Sequence, residues 1–452
     1  MTTIVAANGS GATRALLLLC VRSSFIELRI FSSFFQYCAH YLRGDGSAAS
    51  VNFRRLWFSN GLNCFGAQIT SLALPLCAVL LLHATPEQMG VLVALQALPF
   101  ALFGLPVGVL LDRRSKHPIM LFSESMSGLA LASVAVAYWC GVLSMPWLYI
   151  VGFIIGTGFV VGGGAEQVFL TFLVGRDGLI DAQSKFAATE SASRLIGPGL
   201  AGVLVQVLSA PVAILCTACG YLISVFNLRA MSVRDPRPAP SDKHALRDIA
   251  DGLLFVWREP LLRALAWGAG IWHFLFYASM ALTVLFATRD LGMSPGVLGM
   301  TQMLGGAGVL LSAFIVKPLT KRYGAGRTIL IGLASTSLCF ALTPTIPAAL
   351  FGSAAASAVA YAILMFFFDC GVMLFFIPYL GLRQKVTPDP MLGRMTSTMR
   401  FLTVATAPLG ALAAGWIAEH FGVRNGLACI AAGSILLTIA MVWGTPLRSV
   451  RT

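Results

Sequence analysis

Twelve stretches of this chain are continuously apolar for about the 20 residues that a helix needs to cross the roughly 30 Å hydrocarbon core of a bilayer. They fall near 57–82, 89–111, 119–141, 147–173, 188–208, 212–228, 264–287, 297–316, 328–345, 350–379, 399–418 and 426–445. Each run is unbroken rather than alternating, so the expectation is helices, which satisfy their own backbone groups in hydrocarbon, and not a β-barrel. Composition agrees. Of the residues 57% are hydrophobic and 11% charged, less than half the charge of about 25% carried by a soluble domain. The chain reads as an all-α integral membrane protein of twelve transmembrane helices, which excludes soluble enzymes, nucleic-acid binders and disordered scaffolds.

A net charge of +13 would point, in a soluble protein, to nucleic acid or another acidic partner. Here it reports orientation. With both termini in the cytoplasm, 28 of the 31 lysines and arginines lie in the N-terminal arm, the inner loops and the C-terminus; Arg289 and Arg424 lie outside and Arg194 within a span. The acids divide less sharply, 11 inside to 3 outside, as expected when basic residues rather than net charge set orientation. The expected location is a bacterial inner membrane, with anionic inner-leaflet lipid rather than nucleic acid as the partner of those bases.

Four parts follow from this pattern: an arm over 1–50, a six-helix half over 51–230, a cytoplasmic linker over 231–260 and a second six-helix half over 261–452. Within the linker, Pro236, Pro238 and Pro240 precede Leu246, Ile249, Leu253 and Val256, which predicts an extended segment and then an amphipathic helix on the membrane surface. A weak repeat relates the halves. Gly90 and Gln96 match Gly296 and Gln302 at an offset of 206, and Pro198 matches Pro408 at 210. Two six-helix halves related by duplication are the architecture of alternating-access transporters. The arm lacks a cleavage site for a signal peptide. Two readings stand for it: a segment whose Phe25, Leu28, Phe31 and Phe35 lie on the membrane, or a coding start nearer Val51.

The ten cysteines are scattered, and the Cys216 and Cys219 pair sits in an apolar helix where packing is the better reading, so neither a disulfide framework nor a metal site is expected. No P-loop, HExxH or GxSxG pattern occurs in a supporting loop. The expectation is no cofactor. Uphill transport would then draw on an ion gradient or on a separate ATPase.

Between the second and third spans runs Gly104-Leu-Pro-Val-Gly108-Val-Leu-Leu-Asp112-Arg113-Arg114-Ser115-Lys116-His117. It resembles the GxxxDRxGRR loop of the major facilitator superfamily, with Ser115 in place of a glycine. Gly108 would permit close helix approach, Asp112 would face a helix dipole or a base, and Arg113 and Lys116 would anchor the inner side. The matching loop of the second half keeps Lys321, Arg322, Gly324 and Arg327 without the acid. In the fifth span, Gly197-Pro198-Gly199-Leu200-Ala201-Gly202 resembles the GPxxGG signature of the antiporters of that superfamily, which implies export. Phe53–Trp57, Asp251–Pro260, Thr288–Pro295 and Leu382–Asp389 resemble the branch of macrolide-efflux and enterobactin-exporter-like drug:proton antiporters. The resemblance covers about 52–448 and implies a major facilitator fold. Where that branch often carries acids, this chain has Ala67 before Gln68 in the first span and Gly163 in the fourth, with Glu166 one turn on.

Charged groups in hydrocarbon cost at least about 2.5–3.5 kcal/mol each, so each needs a partner, a wet cavity or a function. Glu166 shares a face with Gly158 and Gly162, and Asp369 lies among Phe366, Phe367 and Phe368. Both are candidates for proton coupling, against the alternative of packed structural acids. Glu190 and Arg194, four apart, form either a coupling pair or a self-neutralising one. His273 titrates near neutrality if wetted, or is a hydrogen-bonded core histidine. Glu124 reads as a structural acid beginning the third helix. Asn60, Asn63 and Thr70 on one stripe of the first helix, with Gln68 beside it, Gln302 and Trp272, are candidates to line a cavity for an amphipathic substrate, helix-to-helix bonding being the other reading.

These features together predict a monomeric secondary transporter, not an enzyme, that exports a hydrophobic or amphipathic small molecule, a drug, secondary metabolite or siderophore, by proton antiport. The alternatives are an importer or facilitator of a polar nutrient, a membrane enzyme, and a receptor that binds without translocating.

Overall fold

The computed structural model describes residues 48–104, 106–175, 177–232 and 245–450, in places by backbone alone, Asp112 and 245–250 among them. The expectations for the arm over 1–47 and for the proline-rich part of the linker over 233–244 lie outside the described residues. Twelve described helices are long and apolar enough to cross a membrane, and no strand is formed among the described residues.

The first half holds α1 (Ala48–Leu81), α2 (Pro86–Phe103), the short α3 (Pro106–Arg113), α4 (Lys116–Trp139), α5 (Met145–Val174), α6 (Leu179–Leu208) and α7 (Ala210–Arg229). The linker contributes α8 (Ala245–Arg258). The second half holds α9 (Pro260–Leu285), α10 (Pro295–Tyr323), α11 (Ala325–Leu342), α12 (Ala354–Val386), α13 (Leu392–Val404), α14 (Ala407–Phe421) and α15 (Val423–Gly444).

The sequence punctuates these helices. Thr85 and Ser294 cap α2 and α10 by accepting from the Gln88 and Val297 amides, and each is followed by proline at the first helical position. Gly324 and Gly422, at φ 86° and 87°, turn the chain between α10 and α11 and between α14 and α15. Several spans depart from their apolar runs, the fifth starting at Leu179 rather than near 188, and two do so for a visible local reason. The second ends at Phe103 rather than near 111, because Pro106 starts a separate helix. The eleventh starts at Leu392 and is interrupted at Ala405–Thr406 ahead of Pro408, where the Thr406 hydroxyl donates to the Gly270 carbonyl of α9 at 2.7 Å.

Within the first half α4 packs on α5 and α7, and α2 on α5; within the second α12 packs on α10 and α11, and α9 on α14 and α15. The halves meet along two seams, α2 with α14 and α6 with α10. Each seam is a glycine-to-glycine contact. A Cβ on Gly90 would stand 2.7 Å from the Ala411 carbonyl and 2.9 Å from Gly415 Cα; one on Gly299 would stand 2.5 Å from the Pro198 carbonyl and 2.8 Å from Gly202 Cα. Side-chain acceptors finish both seams in the same way. The Glu87 amide donates to Glu419 Oε2 at 3.2 Å, and the Gly296 amide donates to Gln206 Oε1 at 2.8 Å. The pseudo-symmetric register is therefore 209 between α2 and α10 and 213 between α6 and α14, pairing Gly90 with Gly299 and Pro198 with Ala411. The offsets of 206 and 210 expected from matching letters are corrected by backbone role, since what repeats is the contact and not the side chain.

Candidate functional site

The polar stripe of α1 faces two carboxylates. Asn60 Nδ2 donates to Glu166 Oε1 on α5 at 3.1 Å, and Asn63 Nδ2 donates to Glu124 Oε1 on α4 at 2.9 Å. Ser224 of α7 donates to the second oxygen of Glu124 in a short hydrogen bond. Glycine brings the helices to this distance. A Cβ on Gly158 would collide with Ser127 Oγ, and one on Gly162 would stand 3.1 Å from Ser123 Cβ, so α5 lies directly on α4. Glu124 does not begin its helix; it is the ninth residue of α4 and 8% exposed. The sequence reading of it as a surface carboxylate at a helix start is corrected on that ground. The signal that could have found it is the i, i+3 spacing of Asn60 and Asn63, two amides on one face that need two acceptors. Asn63 Oδ1 and Thr70 Oγ1 are buried without a partner.

A second charged group lies where α6 leaves its seam. From Gly197 to Gly202 the helix is mostly buried, whereas Glu190, Ser191 and Arg194 are exposed. Arg194 Nη2 binds Glu190 Oε1 at 2.9 Å. Across the seam the Arg194 carbonyl meets Gly306 of α10, and the neighbouring Gly305 lies against the carboxylate of Asp369 on α12.

The other expected residues do not join these groups. His273 Nδ1 donates to the Ala269 carbonyl at 2.8 Å and its ring packs on Phe376. Trp272 is 2% exposed, stacked on Phe276 at 5.0 Å and Phe375 at 6.0 Å, with its indole donating to Thr336 at 3.4 Å. It belongs to the core of the second half and not to a cavity wall, because its face of α9 is turned to α11 and α12. Gln68 packs against Gly197 within the first half, and Gln302 is half-buried on α10. No group of three or more metal-ligating side chains occurs among the described residues.

Comparison with known proteins decides the class. The family model of the Major Facilitator Superfamily matches residues 56–407. The chain belongs to the major facilitator superfamily. It is 26% identical to the uncharacterized MFS-type transporter YfiS of Bacillus subtilis over 85% of this chain and 90% of that one. It is 25% identical to the multidrug efflux pump Tap of Mycolicibacterium fortuitum over 78% and 85%, and 24% identical to the enterobactin exporter EntS of Escherichia coli over 86% and 91%. Among solved structures, the nucleoside transporter NupG superposes with a TM-score of 0.67 at 13% identity, covering 88% of this chain and 98% of that one. The protein is an integral membrane transporter and not an enzyme.

The two superfamily motifs take different places in this fold. In the fifth span Gly199 approaches Met303 Sδ, to 2.9 Å from an added Cβ, and Gly202 approaches Gly299. The Gly-Pro-Gly stretch is thus the inter-half seam on α6, while Gly197 seats Gln68 of α1. The loop motif forms α3, with Arg113 exposed and Lys116 half-buried at the start of α4. The side chain of Asp112 lies outside what is described. Gly108 does not mediate the expected close approach: nothing lies within 4 Å of where its Cβ would stand. Val107 and Leu111 make the contact instead, on Gly164 of α5, which leaves Gly108 facing out.

Proposed function

We propose that this major facilitator exports hydrophobic or amphipathic small molecules, a drug, a secondary metabolite or a siderophore, in exchange for protons. The observation that carries the reading is the acid pair facing α1, with Glu124 of α4 and Glu166 of α5 each held by one asparagine amide of α1 inside a six-helix half. A carboxylate whose hydrogen-bond partner is a neutral amide can lose its charge without stranding a counter-charge, which suits a proton carrier better than a structural ion pair. Among the described residues Glu166 has a single such partner and Glu124 has two, so Glu166 is the exchanging group and Glu124 its more firmly held neighbour. Asp369, with Arg194 and Glu190 at the seam, would relay the protonation state to the second half; His273, bonded to its own helix, has the smaller claim.

The distribution of bases supports placing both termini and α3 in the cytoplasm of a bacterial cell. The glycine seams would then close the outer face, and cargo would enter from the cytoplasm or inner leaflet between the separated ends of α6 and α13. Proton uptake from outside would promote the return step. Relatives that carry drugs and enterobactin support a large amphipathic cargo.

Everted membrane vesicles energised by respiration test this with a panel of fluorescent lipophilic drugs and siderophores. The expected result is uptake that collapses with a protonophore and is lost in Glu166→Gln. Uptake that persists without a proton gradient, or a Glu166→Gln variant indistinguishable from wild type, would overturn it.

A further inference from the structure

Arg383 stands in the last turn of α12, which ends at Val386, and is 8% exposed. Its guanidinium lies over the ring of Tyr379, 5.3 Å from the centroid. Tyr379 is itself 2% exposed and stacks on Phe375 at 5.7 Å. Although the two side chains lie together, Arg383 Nε and the Tyr379 hydroxyl are both sealed from solvent with no hydrogen-bond partner. No carboxylate among the described residues comes within ion-pair distance of Arg383. Other arginines near this end of the bundle are provided for differently: Arg394 has Asp251 at 3.3 Å, and Arg322 and Arg448 are exposed over the rings of Tyr323 and Trp443.

Arg383 and Tyr379 can both donate, and a buried guanidinium offers up to five N–H groups with no accepting ability of its own. The phenol oxygen can accept from the guanidinium but carries no charge to balance it, and a buried cation with no carboxylate beside it is the outline of a missing anion, because burying such a charge unpaired is strongly unfavourable. We propose that Arg383 and Tyr379 form a binding site for a phosphate oxyanion at this end of α12. The planar fork of arginine matches phosphate oxygens in two parallel hydrogen bonds. The last turn of a membrane-spanning helix lies at headgroup depth, at the end of the bundle where most bases collect, which concentrates anionic phospholipid there. The phosphate is supplied either by a phospholipid headgroup or as the free ion. Its effect falls on the junction with α13: Thr387 Oγ1 donates to the Arg383 carbonyl at 2.7 Å, and the chain then turns through Asp389–Met391 into α13. A bound phosphate braces that junction.

Delipidated full-length protein in dodecyl maltoside, which carries no phosphate, provides the test. Thermal unfolding is followed on adding phosphatidylglycerol, or sodium phosphate against sodium chloride of equal ionic strength. Wild type is expected to gain about 2–4 °C, Arg383→Gln none, and the control Lys321→Gln the wild-type gain. A gain from phosphatidylglycerol alone identifies lipid; a gain from sodium phosphate alone identifies the free ion. In maltoside without phosphate, Arg383→Gln should melt at or above wild type, since it removes an unpaired charge. No gain in wild type, an equal gain in Arg383→Gln, or a variant less stable than wild type in every condition would overturn the proposal by assigning the donors to water or to the protein. If Arg383→Gln fails to fold, Tyr379→Phe replaces it and is expected to lower the gain, an unchanged gain counting against the site.

Discussion

Glu124 and Glu166 differ in what holds them, and that difference sets what each can do. Glu124 is buried and accepts from Asn63 and Ser224, whereas Glu166 is half-buried and, among the described residues, accepts from Asn60 alone. Replacing Asn63 with alanine removes one of two donors to a buried carboxylate and is expected to cost about 1–3 kcal/mol, read as a lowered unfolding midpoint in detergent. Asn60→Ala, at the less enclosed Glu166, should cost less stability but weaken proton-driven export more, a division that thermal unfolding and vesicle transport measured together would check. The intramembrane acids were legible in the sequence as expensive groups in need of a reason. Their partners are legible only in part: Asn60 and Asn63 read either as cavity-lining groups or as helix-to-helix hydrogen bonders, and nothing in a linear sequence tells which helices they face. Trp272 shows the same limit, since an aromatic on an apolar helix looks the same whether it faces a cavity or, as here, Phe276 and Phe375.

At the level of helices, two seams of the same construction join the halves, and they end in different chemistry. Gln206 accepts from the first turn of α10 with a neutral amide, and Glu419 accepts from the first turn of α2 with a carboxylate. Gly202→Leu and Gly415→Leu should each force their seam apart, because an added Cβ already stands within 2.9 Å of the facing backbone in both cases. Double electron–electron resonance between spin labels at the loops near 83 and 292 is expected to show a longer distance population in either variant, while Glu419→Gln, which keeps an accepting oxygen, leaves the distance unchanged. The count and order of spans were readable from apolar runs alone, because hydrocarbon imposes length and continuity on every helix. The seam register was not. Matching letters aligned Gly90 with Gly296, three residues from its true counterpart Gly299, because only backbone approach is repeated. The break of the eleventh span at Thr406 likewise came from a contact with Gly270 and not from local propensity alone.

For the molecule as a whole, charge is arranged in two opposing ways. Most bases lie in the arm, linker and loops at one end of the spans, while Glu124, Glu166, Glu190 and Asp369 lie within the spans, Glu190 paired with Arg194. The account holds that protonation of this interior, centred on Glu166, is what cargo export is exchanged for. The direct measurement is proton flux in proteoliposomes carrying a pH-sensitive dye inside, driven only by a gradient of a cargo identified in the vesicle panel. Wild type should move protons against the cargo's direction, and Glu166→Gln should bind cargo but lose about tenfold or more of that flux, a loss equivalent to about 1.4 kcal/mol. Cargo movement with no accompanying proton flux in wild type, or an undiminished flux in Glu166→Gln, would contradict the account.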